Sequence, residues 1–238
     1  MKRGYEYEFK GYERNKKLKK HKKRERKIRA KDNSESSSSS YSDDELNCSF
    51  DFKDDVFTKE NRIYFKAKVS QTSVEKLITI INEKNKNFKD LIYNNRIIAE
   101  ARPNPIYLHI TSYGGCLFSG FRAVDAIVRS EIPIYTVVDG HAASAATLMS
   151  VVGKRRFMTP NSYLLIHQLS SGAWGTYWNI KDEYKNCKSM MDKIYKIYEE
   201  HTNMDKTEVK KQLCHDSWWD TEKCLNKEII DEVYEEAL

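Results

Sequence analysis

The run Ile134-Tyr135-Thr136-Val137-Val138, followed by Asp139-Gly140-His141-Ala142-Ala143-Ser144-Ala145-Ala146-Thr147 and then by Leu148-Met149-Ser150-Val151-Val152, decides the fold. The first five residues are apolar or β-branched and predict a buried strand. The last five can continue a helix. Between them one hydroxyl stands among alanines, just past a glycine. Side chains this small let other segments approach the backbone closely. A serine in the first turn of a helix lies beside unbonded N–H groups and the positive end of the helix dipole. That setting suits a nucleophile whose reaction creates an oxyanion. The same pattern arises where serine is only an N-cap and the alanines are tight packing, which is the commoner use of serine at a helix start.

Working outward toward the N-terminus, Arg102-Pro103-Asn104-Pro105 predicts a turn into the strand Ile106-Tyr107-Leu108-His109-Ile110. That strand ends in Thr111-Ser112-Tyr113-Gly114-Gly115. A helix follows with Leu117, Phe121, Val124 and Val128 on one face, and Pro133 stops it. Earlier still, residues 62–69 predict a strand, and Gln71-Thr72-Ser73 starts a helix whose face is Val74, Leu77, Ile78 and Ile81. The Asn- and Lys-rich stretch 82–95 reads as a loop or a frayed extension of that helix. Strand and helix alternate three times, which is the pattern of an α/β fold. Ligands in such folds bind outside the carboxyl ends of the strands. Two of those ends carry unusual loops, Gly114-Gly115 and 140–144. Paired glycines let backbone N–H groups approach a bound carbonyl oxygen, although they also serve in ordinary turns. They match neither a dinucleotide nor a P-loop pattern.

Toward the C-terminus, residues 154–158 predict a short strand, 159–162 a turn, and Tyr163-Leu164-Leu165-Ile166 another strand with His167 at its end. A histidine there is often structural, but a serine nucleophile requires a neutral imidazole as its base. Residues 170–175 read as a loop. A long helix over 177–201 carries Tyr184, Cys187, Met191, Ile194 and Tyr198 as a stripe, which packs against the body or against a second subunit. Asp205 begins a short helix to Leu213, residues 214–219 read as a turn, and Asp220-Thr221 can cap a last helix.

The composition narrows the function classes. The chain has 238 residues, enough for one domain and a tail. Residues 1–50 hold 15 of the 41 Lys and Arg and 9 of the 35 Asp and Glu, so the remainder, with 26 of each sign, is neutral. The body lacks the charge signature of a nucleic-acid binder. The tail joins a basic block (Lys16 to Arg29) to a serine-rich, acidic one, which predicts disorder over 1–50 and a domain over 51–238. The basic block is either a nuclear-import or nucleic-acid tether or a solvated tail. There is no apolar run of membrane length and no secretory leader. The five scattered cysteines predict reduced thiols in a cytoplasmic protein and no metal site.

Taken together, Tyr-Leu-His-Ile-Thr-Ser-Tyr-Gly-Gly (107–115), Gly-His-Ala-Ala-Ser-Ala (140–145), Pro-Asn-Ser-Tyr-Leu-Leu-Ile-His-Gln (160–168) and a late Asp before an aromatic resemble the Clp protease proteolytic subunit family, ClpP. The match in order and spacing covers residues 62–234, nearly the whole body. The resemblance implies an α/β fold of the ClpP/crotonase-like ββα spiral type, with 177–201 as a protruding handle helix through which two rings meet. It implies Ser144 as nucleophile, His167 as general base and Asp216 as the third triad member, with Asp220 as the alternative. Gly115 and Ala145 would supply the oxyanion hole, and no cofactor or metal is implied. It further implies a homo-oligomer of stacked rings, an AAA+ Clp ATPase as partner, and unfolded proteins or peptides as substrates.

Departures from the family pattern are specific. Tyr113 stands in place of Pro, Ala145 of Met, Leu169 of Pro, Ser170-Ser171 of glycines and Glu228 of Gly. Residues 82–100 are longer than usual, the family's axial-loop segment is not recognisable, and His109 is not the usual aromatic on the strand that helps receive the ATPase. Two competing readings are an acyl-CoA enzyme of the crotonase fold and a catalytically impaired ring subunit. The first lacks a glutamate in either active loop to activate water. The second would typically have lost a triad member, and all three positions are filled.

Overall fold

The computed structural model describes residues 55–95 and 103–235. The predicted tail, its boundary with the domain and the basic block lie outside the described residues. Strands β1 (Asp55–Lys59) and β2 (Arg62–Lys66) form an antiparallel hairpin. Helix α1 (Gln71–Asn95), β3 (Ile106–Ser112), α2 (Leu117–Val128) and β4 (Ile134–Ala143) follow. Next come α3 (Ala145–Val151), β5 (Arg155–Met158), β6 (Tyr163–Ile166) and α4 (Tyr177–His201). The chain closes with α5 (Lys206–Leu213), β7 (Ser217–Asp220), α6 (Thr221–Asn226) and β8 (Glu232–Val233). The sheet runs β1-β2-β3-β4-β5-β8, parallel from β2 onward.

Alternation along the strands builds two apolar faces. Ile63 and Phe65 of β2, Leu108 and Ile110 of β3 and Val138 of β4 are buried in one continuous core with Val74, Leu77 and Ile81 of α1, Ile127 of α2 and Met149 of α3. Thr136 joins that face as a polar exception because its hydroxyl donates to Ser150 O at 2.6 Å. The residues between them point the other way, where Val137, Phe157 and Tyr234 pack with Tyr107 and Tyr135.

The feature that positions the site is a fork in β4. Its first half, Tyr135 to Val138, pairs with β5, and its last three residues, His141 to Ala143, pair with β6. The change of partner falls at Asp139-Gly140, where Gly140 takes φ +82 and its N–H donates to Ser162 Oγ at 2.8 Å. The register of β3 against β4 also shifts between Ile110 and Ser112. β6 in turn pairs antiparallel with β7, so a two-stranded flap leaves the main sheet at the fork.

Several elements differ from the sequence reading. Of the two readings for residues 82–95 the helix extension is the one observed: they continue α1, where Lys84 Nζ donates to Glu60 O at 2.5 Å and Asn85 Oδ1 accepts the Ile132 N–H at 3.0 Å. α2 buries Gly120, Ala123, Val124 and Ile127, while Val128 is exposed and Leu117 and Phe121 are only half-buried. Small residues are what allow close approach there: a Cβ on Gly120 would lie 3.2 Å from Ala145 Cβ. The 177–201 stripe divides. Ile194, Ile197 and Tyr198 are buried, and Tyr184 is exposed. The second half of the turn read over 214–219 belongs to strand β7, whose Trp219 is buried.

Candidate active site

Ser144 is the single residue between β4 and α3. It takes φ 55, ψ −126, a conformation that a side chain with a Cβ rarely adopts and that costs roughly 1–3 kcal/mol. Its N–H donates to Leu165 O of β6 at 3.0 Å, and its carbonyl accepts the Thr147 N–H at 2.9 Å. It occupies the N-cap position of α3, yet its hydroxyl makes no capping hydrogen bond. Capping therefore does not account for the serine side chain.

Gly114 and Gly115 pass directly against this junction. They take φ +88 and +147. A Cβ on Gly114 would lie 2.5 Å from Ala143 O and 2.7 Å from Ser144 Cβ; one on Gly115 would lie 2.3 Å from Val69 O. Two other backbone segments fill the space a side chain would need, so the pair is more than a turn. Val69 fixes it by donating its N–H to Gly114 O and accepting the Cys116 N–H, both at 2.8 Å. Buried Ser112 accepts the Gly114 N–H at 3.1 Å and donates to Ala67 O at 2.6 Å. Tyr113 lays its ring over His141, with ring centroids 4.1 Å apart. That contact anchors the loop.

His167 follows the last residue of β6. Because Ile166 pairs with Ser217 across the antiparallel ladder, the next step places His167 opposite Asp216. His167 Nδ1 lies 3.5 Å from Asp216 Oδ1. Asp220 is otherwise occupied: it pairs with Tyr163 and caps α6, its carboxylate accepting the Lys223 N–H at 2.8 Å. Beyond His167, the Leu169 N–H donates to Met191 Sδ at 3.2 Å, tying this segment to α4.

Gly115, Ser144, Ala145 and His167 line one cavity of about 130 Å³. Its remaining wall is mainly apolar, from Leu117, Leu148, Leu169, Ile194 and Tyr198. Among the described residues, no group of three His, Cys, Asp or Glu is placed to hold a metal ion. Gly114, read in the sequence together with Gly115, shapes this site as well. Ser112, Thr147 and Tyr198 also do so and were not singled out for it by sequence, because they act through contacts that span many residues.

A strained serine at a strand-to-helix junction, with a histidine across the same cavity and a double-glycine backbone beside both, is the equipment of a serine-type hydrolase on an α/β sheet. The comparison with known proteins narrows this class. The model of the Clp protease family matches residues 59–237. The chain is 33% identical over 160 residues to the ATP-dependent Clp protease proteolytic subunit 2 of Treponema denticola, spanning 66% of this chain and 80% of the relative. It is 28% identical over 141 residues to the ATP-dependent Clp protease proteolytic subunit 1 of Salinibacter ruber, spanning 58% of this chain and 60% of that one. The chain belongs to the Clp protease family and is a serine protease of the Clp type. No helix among the described residues is long and apolar enough to cross a membrane.

Proposed function

We propose that the chain is an endopeptidase that cuts peptide bonds in unfolded proteins and peptides through Ser144, His167 and Asp216. The observation that carries this reading is the convergence of Ser144, His167, Gly115 and Ala145 on one cavity, with Asp216 against Nδ1 of the imidazole. With Nδ1 turned to Asp216, Nε2 is the nitrogen left for the serine. Ser144 Oγ attacks the substrate carbonyl carbon while His167 Nε2 takes its proton. The N–H groups of Gly115 and Ala145 bind the oxyanion. His167 then gives the proton to the departing amine, leaving an acyl group on Ser144, and water activated by the same imidazole releases it. Asp216 keeps the imidazole oriented and stabilises its cation. The 3.5 Å spacing is long for this bond, as catalytic hydrogen bonds often are without substrate.

Assembly into stacked rings is supported by α4. Trp174 is fully exposed, and Tyr177, Trp178, Ile180 and Tyr184 add a large exposed apolar surface along its first half. Both relatives are named as ATP-dependent proteolytic subunits, which supports an AAA+ Clp ATPase as the partner that feeds substrate. A cytoplasmic location fits the same relatives. Fluorophosphonate labelling tests the proposal: a serine adduct is expected that is lost in Ser144→Ala and greatly weakened in His167→Ala. Labelling unchanged in Ser144→Ala overturns it.

A further inference from the structure

The carbonyl of Ser144 is held by more than its own helix. Thr147, 1% exposed on α3, donates its hydroxyl to Ser144 O at 2.6 Å, while its N–H reaches the same oxygen at 2.9 Å. A threonine bonding back three residues is common at a helix start. What is uncommon is the third member. Tyr198, 51 residues further on in α4 and 1% exposed, places its phenol against Thr147 Oγ1. Thr147 has one hydroxyl hydrogen, already given to Ser144 O, so Tyr198 must be the donor in this pair. Burial pushes the phenol well above its ordinary pKa, which keeps it a neutral donor. Tyr198 also forms part of the wall of the Ser144 cavity.

Two buried hydroxyls in series thus run from the handle helix to the backbone of the strained residue. A conformation such as φ 55, ψ −126 persists only where its surroundings over-determine it. Loss of Thr147's hydroxyl would leave the phenol buried without its acceptor and the Ser144 carbonyl with one bond fewer.

We propose that Tyr198 and Thr147 are positioning residues, forming a hydrogen-bond relay from α4 to the Ser144 carbonyl that holds the nucleophile in its reactive backbone conformation. The proposal rests on Ser144 being the nucleophile. Hydrogen bonds in series polarise one another, so the two residues should act as a unit rather than independently.

The test is fluorophosphonate inactivation of the full-length protein, resolved into the maximal inactivation rate and the reagent concentration for half-maximal rate. Thr147→Val is expected to lower the maximal rate by about 10-fold or more with the half-maximal concentration unchanged, and Thr147→Ser to restore it to within about 3-fold of wild type. Tyr198→Phe should lower the maximal rate by about 3- to 10-fold, and the double variant should be no slower than Thr147→Val alone. A wild-type maximal rate in folded Thr147→Val, no rescue by folded Thr147→Ser, or a double variant showing the product of the single effects overturns the relay. If Thr147→Val fails to fold, Tyr198→Phe decides: a full wild-type rate there overturns the proposal and a reduced one supports it. Ser144→Ala keeps the two levels apart. Labelling that survives it overturns the nucleophile assignment, whereas labelling lost there but unaltered in Tyr198→Phe and Thr147→Val overturns the relay alone.

Discussion

At the scale of single residues, two aspartates separated by four positions have different work. Asp216 faces His167, and Asp220 caps α6. Asp216→Asn is expected to lower peptidase turnover by about three to four orders of magnitude, by analogy with the general behaviour of triads, while leaving the melting temperature nearly unchanged. Asp220→Asn should do little to turnover, since Asn is also a good cap, and Asp220→Ala should cost about 1 kcal/mol in denaturant unfolding. Reversal of these effects would reassign the triad. From sequence both aspartates were candidates, because the choice depends on the β6–β7 register and no local pattern records that. Ser144 and His167 were candidates as well, a hydroxyl among alanines after a buried strand and an imidazole closing another, but those surroundings alone fitted a helix cap and a structural histidine equally, and the order of the motifs along the chain is what singled the two out.

His109 is a second residue whose setting has a measurable consequence. It is fully buried on β3, and neither ring nitrogen has a hydrogen-bond partner among the described residues. Its ring stacks on Tyr64 at 4.9 Å and meets Tyr234 edge-on at 5.5 Å. Burial, with Arg62 and Lys66 nearby, lowers its pKa from 6.5 to about 4. An unfolded chain takes up this proton as pH falls through 6.5, while the folded chain resists until about 4. The associated stability is complete above 6.5 and is lost on descending toward 4, by about 3 kcal/mol at most. Urea unfolding between pH 7 and 4 should therefore show a shallower pH dependence in His109→Phe than in wild type. Equal slopes would mean that His109 does not titrate in this way.

At the scale of elements, the α4 stripe shows where sequence periodicity stops being informative. Its 3–4 spacing identified a helix with the right bounds, but spacing cannot say which apolar residues meet their own chain. Ile194, Ile197 and Tyr198 do; Tyr177, Trp178 and Tyr184 do not. If that exposed surface joins subunits, Trp178→Glu combined with Tyr184→Glu should shift sedimentation velocity toward smaller species without altering the unfolding of the chain. An unchanged sedimentation profile would count against α4 as the interface. The end of α6 gives a sharper local test. Glu228 takes φ 53 just past that helix, in the left-handed region that favours glycine. Glu228→Gly should be more stable than Glu228→Ala by about 1 kcal/mol, the reverse of the order expected inside a helix. Both variants lose the contact from Asn203 to the Glu228 carboxylate, so the comparison isolates the backbone.

For the whole molecule, the strand and helix alternation was readable from residue 62 onward, and with it the α/β class. The fork in β4 was not. A ten-residue strand that changes partner at Asp139-Gly140 looks, in sequence, like a short strand followed by a loop. β1 and β8 escaped for a related reason: each is recruited by a neighbour already in place, and β8 has only two residues. The fork is what brings the end of β4, the start of α3, the double glycine after β3 and the end of β6 to one point. The chemistry proposed for the chain depends on that convergence.

The most direct measurement is peptide mapping by mass spectrometry of the full-length protein after reaction with a fluorophosphonate. The adduct is expected on Ser144 alone, absent in Ser144→Ala and formed far more slowly in His167→Ala. An adduct on another residue, or one that forms at the wild-type rate without His167, would contradict the account.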